Sequence, residues 1–476
     1  MNPLWTRHEI AQATGGRFIG DVPGVTGVSI DTRTLEPGDL FFAIRGDVQD
    51  GHDFVPAALS RGAAAAVVSE ERASEFAEAG PLLVVSDVLR SLELLGVASR
   101  ARSSARIVAV TGSVGKTSTK EALRLALMPQ GVTHASVASY NNHWGVPLTL
   151  SRMPRETGYG VFEIGMNHPG EILPLTAMVR PHVALVTNVE PVHIQYFRSV
   201  SAIADAKGEI FAGLEPGGTA VVNRDNPHWE RLRAHAFASS AGRIVTFGEH
   251  ETADVRAERI IVKSDTSIVD ALVFGQRVTY RLGTPGRHIA INSLGVLAAV
   301  HALGADLAIA TLALAEASAP AGRGERTRLS LGSGDALLID ESYNANPASV
   351  RAALATLGSA ETGRRGRRIA VLGDMLELGP EGAALHRALA EPIEAHEIDL
   401  VFTAGSLMQE LFTALPRSRR GEHAPTAADL AKTIVQAIRP GDVVMVKGSN
   451  STRMSTIIKA LKEASSTDHA VVAAEG

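Results

Sequence analysis

A short apolar run, Ile107-Val108-Ala109-Val110, ends in Thr111-Gly112-Ser113-Val114-Gly115-Lys116-Thr117, and an amphipathic stretch follows at once. Apolar residues in unbroken succession suit a strand buried on both faces of a parallel sheet. Parallel strands need crossover connections, so this segment points the chain toward a layered α/β fold. Gly112 and Gly115 allow a tight turn with the backbone N–H groups pointing inward. With the N-terminus of a helix expected over 116–128, those donors make an anion site. Lys116 supplies a charge for terminal phosphates and Thr117 a hydroxyl for Mg²⁺. The spacing is Gly-x-x-Gly-Lys-Thr, because Val110 stands where the longer Gly-x-x-x-x-Gly-Lys-Thr pattern has its first glycine. Residues Gly112, Ser113, Val114, Gly115, Lys116, Thr117 and Ser118 are therefore expected to bind the phosphates of ATP.

At about 100–200 residues per domain, 476 residues suggest two to four domains. Three blocks are expected. Residues 1–100 mix short strands with turn-rich segments. Residues 101–321 alternate strand and helix, with strands near 159–164, 183–187 and 219–222, a strand-rich stretch over 253–282 and a helix over 289–302. Residues 322–476 read as a second, smaller α/β unit with strands near 336–340, 369–372, 400–403 and 443–446, and Gly322-Arg323-Gly324 as hinge. The formal net charge of −5 argues against a nucleic-acid partner. The run Arg364-Arg365-Gly366-Arg367-Arg368 reads as a solvated turn. Cysteine is absent, which excludes disulfides, thiolate metal sites and a catalytic thiol. Neither a signal-like apolar core nor a span of about 20 apolar residues is found, so a soluble cytoplasmic chain is expected.

Other polar segments narrow the chemistry. Phe162-Glu163-Ile164-Gly165-Met166-Asn167 places Glu163, the one acid within an apolar strand, at its C-terminal end, where open α/β sheets bind ligands. Thr187-Asn188-Val189-Glu190-Pro191-Val192-His193 follows another strand and brings His193 to the same edge. Tyr140-Asn141-Asn142-His143-Trp144 is polar and turns abruptly apolar. Lys207, in a helical stretch, reads alone as a surface lysine.

These segments together resemble the Mur ligase family, cytoplasmic ATP-dependent ligases that build the peptidoglycan peptide. The resemblance covers nearly the whole chain. Asp31-Thr32-Arg33-Thr34-Leu35-Glu36-Pro37-Gly38-Asp39 resembles the family's UDP-sugar-binding domain, the middle block its P-loop ATPase domain, and the last block its mobile, Rossmann-like C-terminal domain. Glu341-Ser342-Tyr343-Asn344-Ala345-Asn346-Pro347, the segment 163–172 and Ala206-Lys207-Gly208-Glu209-Ile210-Phe211 are similar to the member that joins D-alanyl-D-alanine to UDP-N-acetylmuramoyl-tripeptide. No Asp-Asn-Pro-Arg motif is present; Asp225-Asn226-Pro227 is followed by His228.

The resemblance implies roles. Lys116, His193, Lys207 and Asn142 would be catalytic. Thr117 and Glu163 would hold one Mg²⁺, and His193 with a carbamylated Lys207 a second. Asn292 would contact adenine, since Ile289 replaces the first Asn of the family's His-Asn-x-x-Asn element. Arg323 would reach ATP, and Asp340 or Glu341 the ribose. Asp31, Thr32 and Arg33 would bind uridine, and Asn344, Asn346, Lys447 and Ser449 the dipeptide. The chain is expected to act as a monomer. A related ligase with another acceptor, and a non-catalytic nucleotide switch, are the alternatives; the identity of the third tripeptide residue stays open.

Overall fold

The computed structural model describes residues 3–474 except 138 and 333. Three large sheets follow one another along it, with a small antiparallel pair, Trp5–Thr6 and Gly24–Val25, at the start. The first has the order Arg17–Ile19, Leu82–Val85, Ala65–Ser69, Asp39–Phe42, Gly27–Ser29, parallel except for its first pair. Alternate residues serve opposite faces. Leu40, Phe42, Val67 and Leu83 pack on one side, and Phe41, Val68 and Leu82 on the other. This two-sided burial is why these strands are continuous apolar runs.

The second sheet has nine strands. Seven are parallel neighbours, in the order Thr133–Ala135, Tyr159–Glu163, Arg106–Thr111, Val183–Val186, Thr219–Asn223, Arg243–Gly248 and Val255–Val262. The strand-rich stretch after residue 253 adds Ser267–Val273 and Gln276–Leu282 as an antiparallel edge. Helices Lys116–Leu127 and Arg287–Ala302 cover one face through Leu123, Leu127, Leu294 and Leu297. Ile172–Val179 and Val200–Gly208 cover the other through Leu175, Val179 and Ile203. The sheet is thus doubly wound. Deleting a wholly buried side chain such as Leu123 would cost about 2–5 kcal/mol. From Arg106–Thr111 the chain first builds strands on one side and then crosses to Val183–Val186 on the other. That reversal leaves a crevice at the strands' C-terminal ends.

The third sheet has the order Glu325–Ser330, Asp335–Glu341, Val443–Lys447, Arg368–Gly373, Leu400–Ala404, Arg420–Ala424, parallel apart from the first pair. Both faces are again apolar. The arginine run before Arg368–Gly373 is partly structural. Arg367 grips the wholly buried Asp442 carboxylate at 2.7 Å, while Arg365 makes a left-handed turn with φ of 61°.

The units are sewn together. Helix Val88–Arg102 leaves the first sheet and packs on Gly145–Ser151, where a Cβ on Gly96 would lie 3.2 Å from the Pro147 backbone. Trp5 Nε1 donates to Ser151 O at 2.8 Å, and Arg100 Nε to Val179 O at 2.8 Å. Gly322 and Gly324, with φ of 72° and 102°, make the turn into the third sheet. Among the described residues, no helix is long and apolar enough to cross a membrane.

Candidate active site

The loop after Arg106–Thr111 turns at Gly112 (φ 151°) and Gly115 (φ 84°) before helix Lys116–Leu127 begins. Both φ values lie where glycine is favoured. A Cβ on Gly112 would strike Thr187 Oγ1, and one on Gly115 would strike Asn292 Nδ2. The neighbouring strand end braces the loop. Val114 N–H donates to Asn188 Oδ1 at 2.9 Å, Thr187 Oγ1 to Val114 O at 2.7 Å, and Ser113 Oγ to Glu190 O at 3.0 Å. Lys116 Nζ folds back onto Gly112 O at 2.8 Å. Burial pushes its ammonium below the ordinary lysine value; Glu163 opposes that push and Arg323 adds to it.

Glu163 closes strand Tyr159–Glu163 and is 1% exposed. Its Oε1 accepts from Asn141 Nδ2 at 2.7 Å, whereas its Oε2 is buried with no hydrogen-bond partner among the described residues. A buried carboxylate oxygen is costly to leave unanswered. Thr117 Oγ1 lies 3.2 Å from Ser139 Oγ, which also accepts from Arg323 at 3.0 Å. An orphaned carboxylate oxygen and a hydroxyl beside a phosphate loop are hard oxygen donors, the type Mg²⁺ takes. Among the described residues, no group of three or more His, Asp or Glu side chains is placed to hold a metal by itself.

His193 follows Val183–Val186 in a left-handed conformation, φ 58°. Its Nδ1 meets the carboxylate of Glu377 from the third sheet. Burial lowers its pKa; Glu377 opposes the shift, and Lys116 and Lys207 reinforce it. Lys207 sits in helix Val200–Gly208 and is 3% exposed, not the surface lysine its local sequence suggests. Among the described residues no acid pairs with it. Burial, then the like charge of Lys116, drives its pKa well below the ordinary value.

The Asn pair divides its labour. Asn142, the member singled out by sequence, lines the cleft, but its Oδ1 caps the next helix by accepting from Gly145 N at 2.9 Å. Asn141 is the one that touches Glu163.

Facing these loops are the strand ends of the third sheet. Glu341 and Lys447 meet at 3.3 Å, and Lys447 Nζ also donates to Asn344 O at 2.9 Å. Asp340 accepts from Ser342 Oγ at 2.6 Å, so it secures a turn while Glu341 lines the cleft. Asn346 caps helix Pro347–Gly358 through Ser349 N at 2.9 Å. Ser449 Oγ accepts from Leu376 N at 3.0 Å. Arg323 stacks on Tyr343, 4.0 Å from the ring centre. The cleft between the two edges encloses about 950 Å³ and is lined by Ser118, Glu163, His193, Arg323, Glu341 and Lys447 among others. Asn292 and His288 line two adjoining hollows beside the loop. Asp31, Thr32 and Arg33 stand apart, in a cavity of about 850 Å³ bounded also by Tyr140 and Trp144. Arg33 clamps Asp31 at 2.6 Å and lowers its carboxyl pKa.

Sequence reasoning missed Asn141, Ser139, Asn188 and Glu377. Glu377 had a usable signal, since it follows an apolar strand as Glu163 and His193 do.

Comparison with known proteins agrees with this architecture. Residues 24–103 match the model for the Mur ligase family catalytic domain, 110–300 the Mur ligase middle domain, and 322–450 the Mur ligase glutamate ligase domain. The chain is 35% identical to the UDP-N-acetylmuramoyl-tripeptide–D-alanyl-D-alanine ligase of Escherichia coli (strain K12), over 96% of this chain and 98% of that one. It is 31% identical to the Bacillus subtilis (strain 168) protein of the same name, covering 92% and 93%. The crystal structure of MurF from Acinetobacter baumannii superposes with a TM-score of 0.83 at 29% identity, covering 97% of this chain and all of that one. The chain belongs to the Mur ligase family.

Proposed function

We propose that this chain joins the amine of D-alanyl-D-alanine to the C-terminal carboxylate of UDP-N-acetylmuramoyl-tripeptide, driven by ATP, to give the UDP-muramoyl-pentapeptide, ADP and phosphate. One observation carries the reading. A phosphate loop and the half-unpartnered Glu163 carboxylate face, across one cleft, the strand ends bearing Glu341, Asn344 and Lys447. Such a cleft suits transfer of a γ-phosphate to a carboxylate held opposite. The names of the relatives supply the substrates.

Residues 1–100 bind the uridine end through Asp31, Thr32 and Arg33. Residues 101–321 bind ATP, and residues 322–476 the dipeptide, through Asn344, Asn346, Lys447 and Ser449. The backbone N–H groups of Gly112 to Thr117 cradle the phosphates, and Lys116 leaves Gly112 O for the terminal phosphate. Asn292 contacts the base, Glu341 the ribose, and Arg323 approaches the phosphates. The tripeptide carboxylate attacks the γ-phosphorus and ADP leaves. The dipeptide amine then adds to the acyl phosphate, loses a proton, and the tetrahedral adduct expels phosphate. Two anions meet in the first step, so Lys116 and Arg323 act chiefly by neutralising charge. Thr117 and Glu163 would hold one Mg²⁺, and His193 with Lys207 a second; bound Mg²⁺ supplies further neutralisation between phosphate and carboxylate. A single copy of the chain carries every one of these residues.

Lys207 suits the carbamate the family resemblance implies. Burial and the like charge of Lys116 favour the uncharged, nucleophilic form of this amine; its nitrogen adds to CO₂ and releases a proton, leaving an anion. Intact-mass measurement under CO₂ should show a gain that vanishes in Lys207→Met. No gain in active enzyme would refute the modification. The activity itself is tested by phosphate release from ATP with UDP-muramoyl-tripeptide, with and without D-alanyl-D-alanine. Rapid release is expected only with both, and release independent of the dipeptide would overturn the assignment.

A further inference from the structure

Two loops from different sheets meet at one point on the cleft wall. His193 belongs to the loop after Val183–Val186, and Glu377 to the loop after Arg368–Gly373. Both are non-glycine residues in the left-handed region, with φ of 58° and 61°. Such backbone is unfavourable for ordinary side chains and persists only where the surroundings impose it. Here they do. On the Glu377 side, Met375 N donates to His386 Nε2 at 2.9 Å, Leu376 N to Ser449 Oγ at 3.0 Å, and Met408 N to Asp374 Oδ1 at 2.8 Å. On the His193 side, Val192 N donates to Glu190 O at 2.7 Å, and Tyr196 N to His193 O at 2.9 Å. The loops pack as well as pair: a Cβ on Gly379 would lie 3.8 Å from Gln195 Cα.

Three carboxylates line the cleft among the described residues: Glu163, Glu341 and Glu377. Glu341 is paired with Lys447 and Glu163 lies beside the phosphate loop. Glu377 alone reaches across, and its partner is one nitrogen of one ring. In a neutral imidazole a carboxylate on Nδ1 compels that nitrogen to be the donor and leaves Nε2 with its lone pair.

We propose that Glu377 is a positioning residue: its carboxylate crosses from the third sheet to hold His193 in the Nδ1–H form, presenting the Nε2 lone pair, so that His193 becomes a competent ligand only while the two sheet edges are in contact. A carboxylate behind a ligating histidine fixes ring and tautomer in this manner. What sets this arrangement apart is that the orienting carboxylate lies on a different sheet from the histidine. The use to which the oriented ring is put rests on the ligase reading above; the tautomer does not.

The test uses the full chain labelled with ¹⁵N-histidine. His193 signals are assigned by their loss in His193→Gln. The wild-type ring should give a protonated-type Nδ1 and a lone-pair-type Nε2, whereas Glu377→Ala and Glu377→Gln should show mixed or reversed tautomers. In the same variants, acyl phosphate is trapped with hydroxylamine from ATP and UDP-muramoyl-tripeptide. The Mg²⁺ needed for half-maximal trapping should rise about 10–100-fold. Ring signals unchanged in both variants overturn the proposal whatever the activity, and altered signals with unchanged Mg²⁺ demand overturn the link to His193 as ligand. Failure of the wild type to form acyl phosphate would count against the ligase reading instead, and the ring signals would still decide the role of Glu377.

Discussion

The two banks of the cleft are built on opposite principles. On the central-sheet bank, ionisable groups are buried without answers. Glu163 Oε2 has no hydrogen-bond partner among the described residues, Lys207 faces only the like charge of Lys116, and Lys116 itself reaches only a carbonyl. On the third-sheet bank, with Glu377 the exception, the polar side chains at the strand ends are answered locally. Lys447 holds Glu341 and Asn344 O, Asp340 holds Ser342, Asp374 takes two backbone N–H groups, and Asn346 caps a helix. Unanswered buried charge destabilises a fold and is kept where a ligand completes it. On the proposed reading, the difference separates a bank whose groups are completed by ATP and the reacting carboxylate from one that is braced by its own contacts before any ligand binds. Substitutions on the first should remove activity at little or no cost in stability. On the second they should cost stability first.

The largest effect belongs to Lys116. Lys116→Met should lower kcat by about 10²–10³-fold, the loss typical of one preorganised donor to developing charge. Melting should be unchanged or slightly later, because a desolvated ammonium is removed. Phosphate-release kinetics and a thermal melt on the same sample check both. A melt several degrees earlier would mean that Lys116 belongs to the scaffold.

Lys207→Met sharpens the same contrast. Activity should fall at least about 10–100-fold, as for loss of a metal-site residue. Stability should rise, because methionine fills similar space without a charge to desolvate. The gain should depend on pH. Burial holds the folded-state pKa well below the unfolded value of 10.5, so between the two the unfolded chain binds the extra proton. Wild-type stability therefore climbs with pH up to about 10.5, and the variant lacks that slope. Melts between pH 7 and pH 10 should converge as pH rises. A gap that widens would reverse the sign and place a hidden anion beside Lys207.

Lys447→Met probes the opposite bank. It leaves the Glu341 carboxylate and Asn344 O without their donor, in a site where Lys447 is 3% exposed. The expected loss is about 1–3 kcal/mol, read as an earlier melt or a lower denaturant midpoint. Activity should fall as well, since Glu341 then loses its fixed position. Unaltered melting would show that this bank is not self-supporting and would erase the distinction.

The same contrast explains how much is legible in the amino-acid sequence. The phosphate loop was legible because its glycines answer to a local backbone turn, with φ of 151° and 84°, written within a few residues. The flanking strands were legible because two-sided burial writes continuous apolar runs. Asn141 and Asn142 were not separable, since only the fold decides which caps helix Gly145–Ser151 and which reaches Glu163. Asp340 and Glu341 were equally ambiguous. Adjacent strand residues face opposite sides, and nothing local says which side is the cleft. Lys207 read as a surface residue because a lone lysine in a helical stretch carries no local sign of burial, yet it is 3% exposed. Glu377 stood in a telling place after an apolar strand, but its role was not legible, because its partner lies 184 residues away on another sheet.

The smallest effect is expected far from both banks. Arg33 and Asp31 form an exposed clamp at the mouth of the first cavity, with the Arg33 side chain 85% exposed. An ion pair so open to water adds little to stability. Arg33→Ala should therefore leave the melt where it is. If this cavity receives the uridine end, the KM for UDP-muramoyl-tripeptide should rise several-fold, while kcat and the KM for ATP stay near wild-type values. That split matters, because binding made equally in ground and transition states appears in KM alone. A fall in kcat instead would tie this distant cavity to the phosphoryl-transfer step, and the cleft would no longer have only two banks.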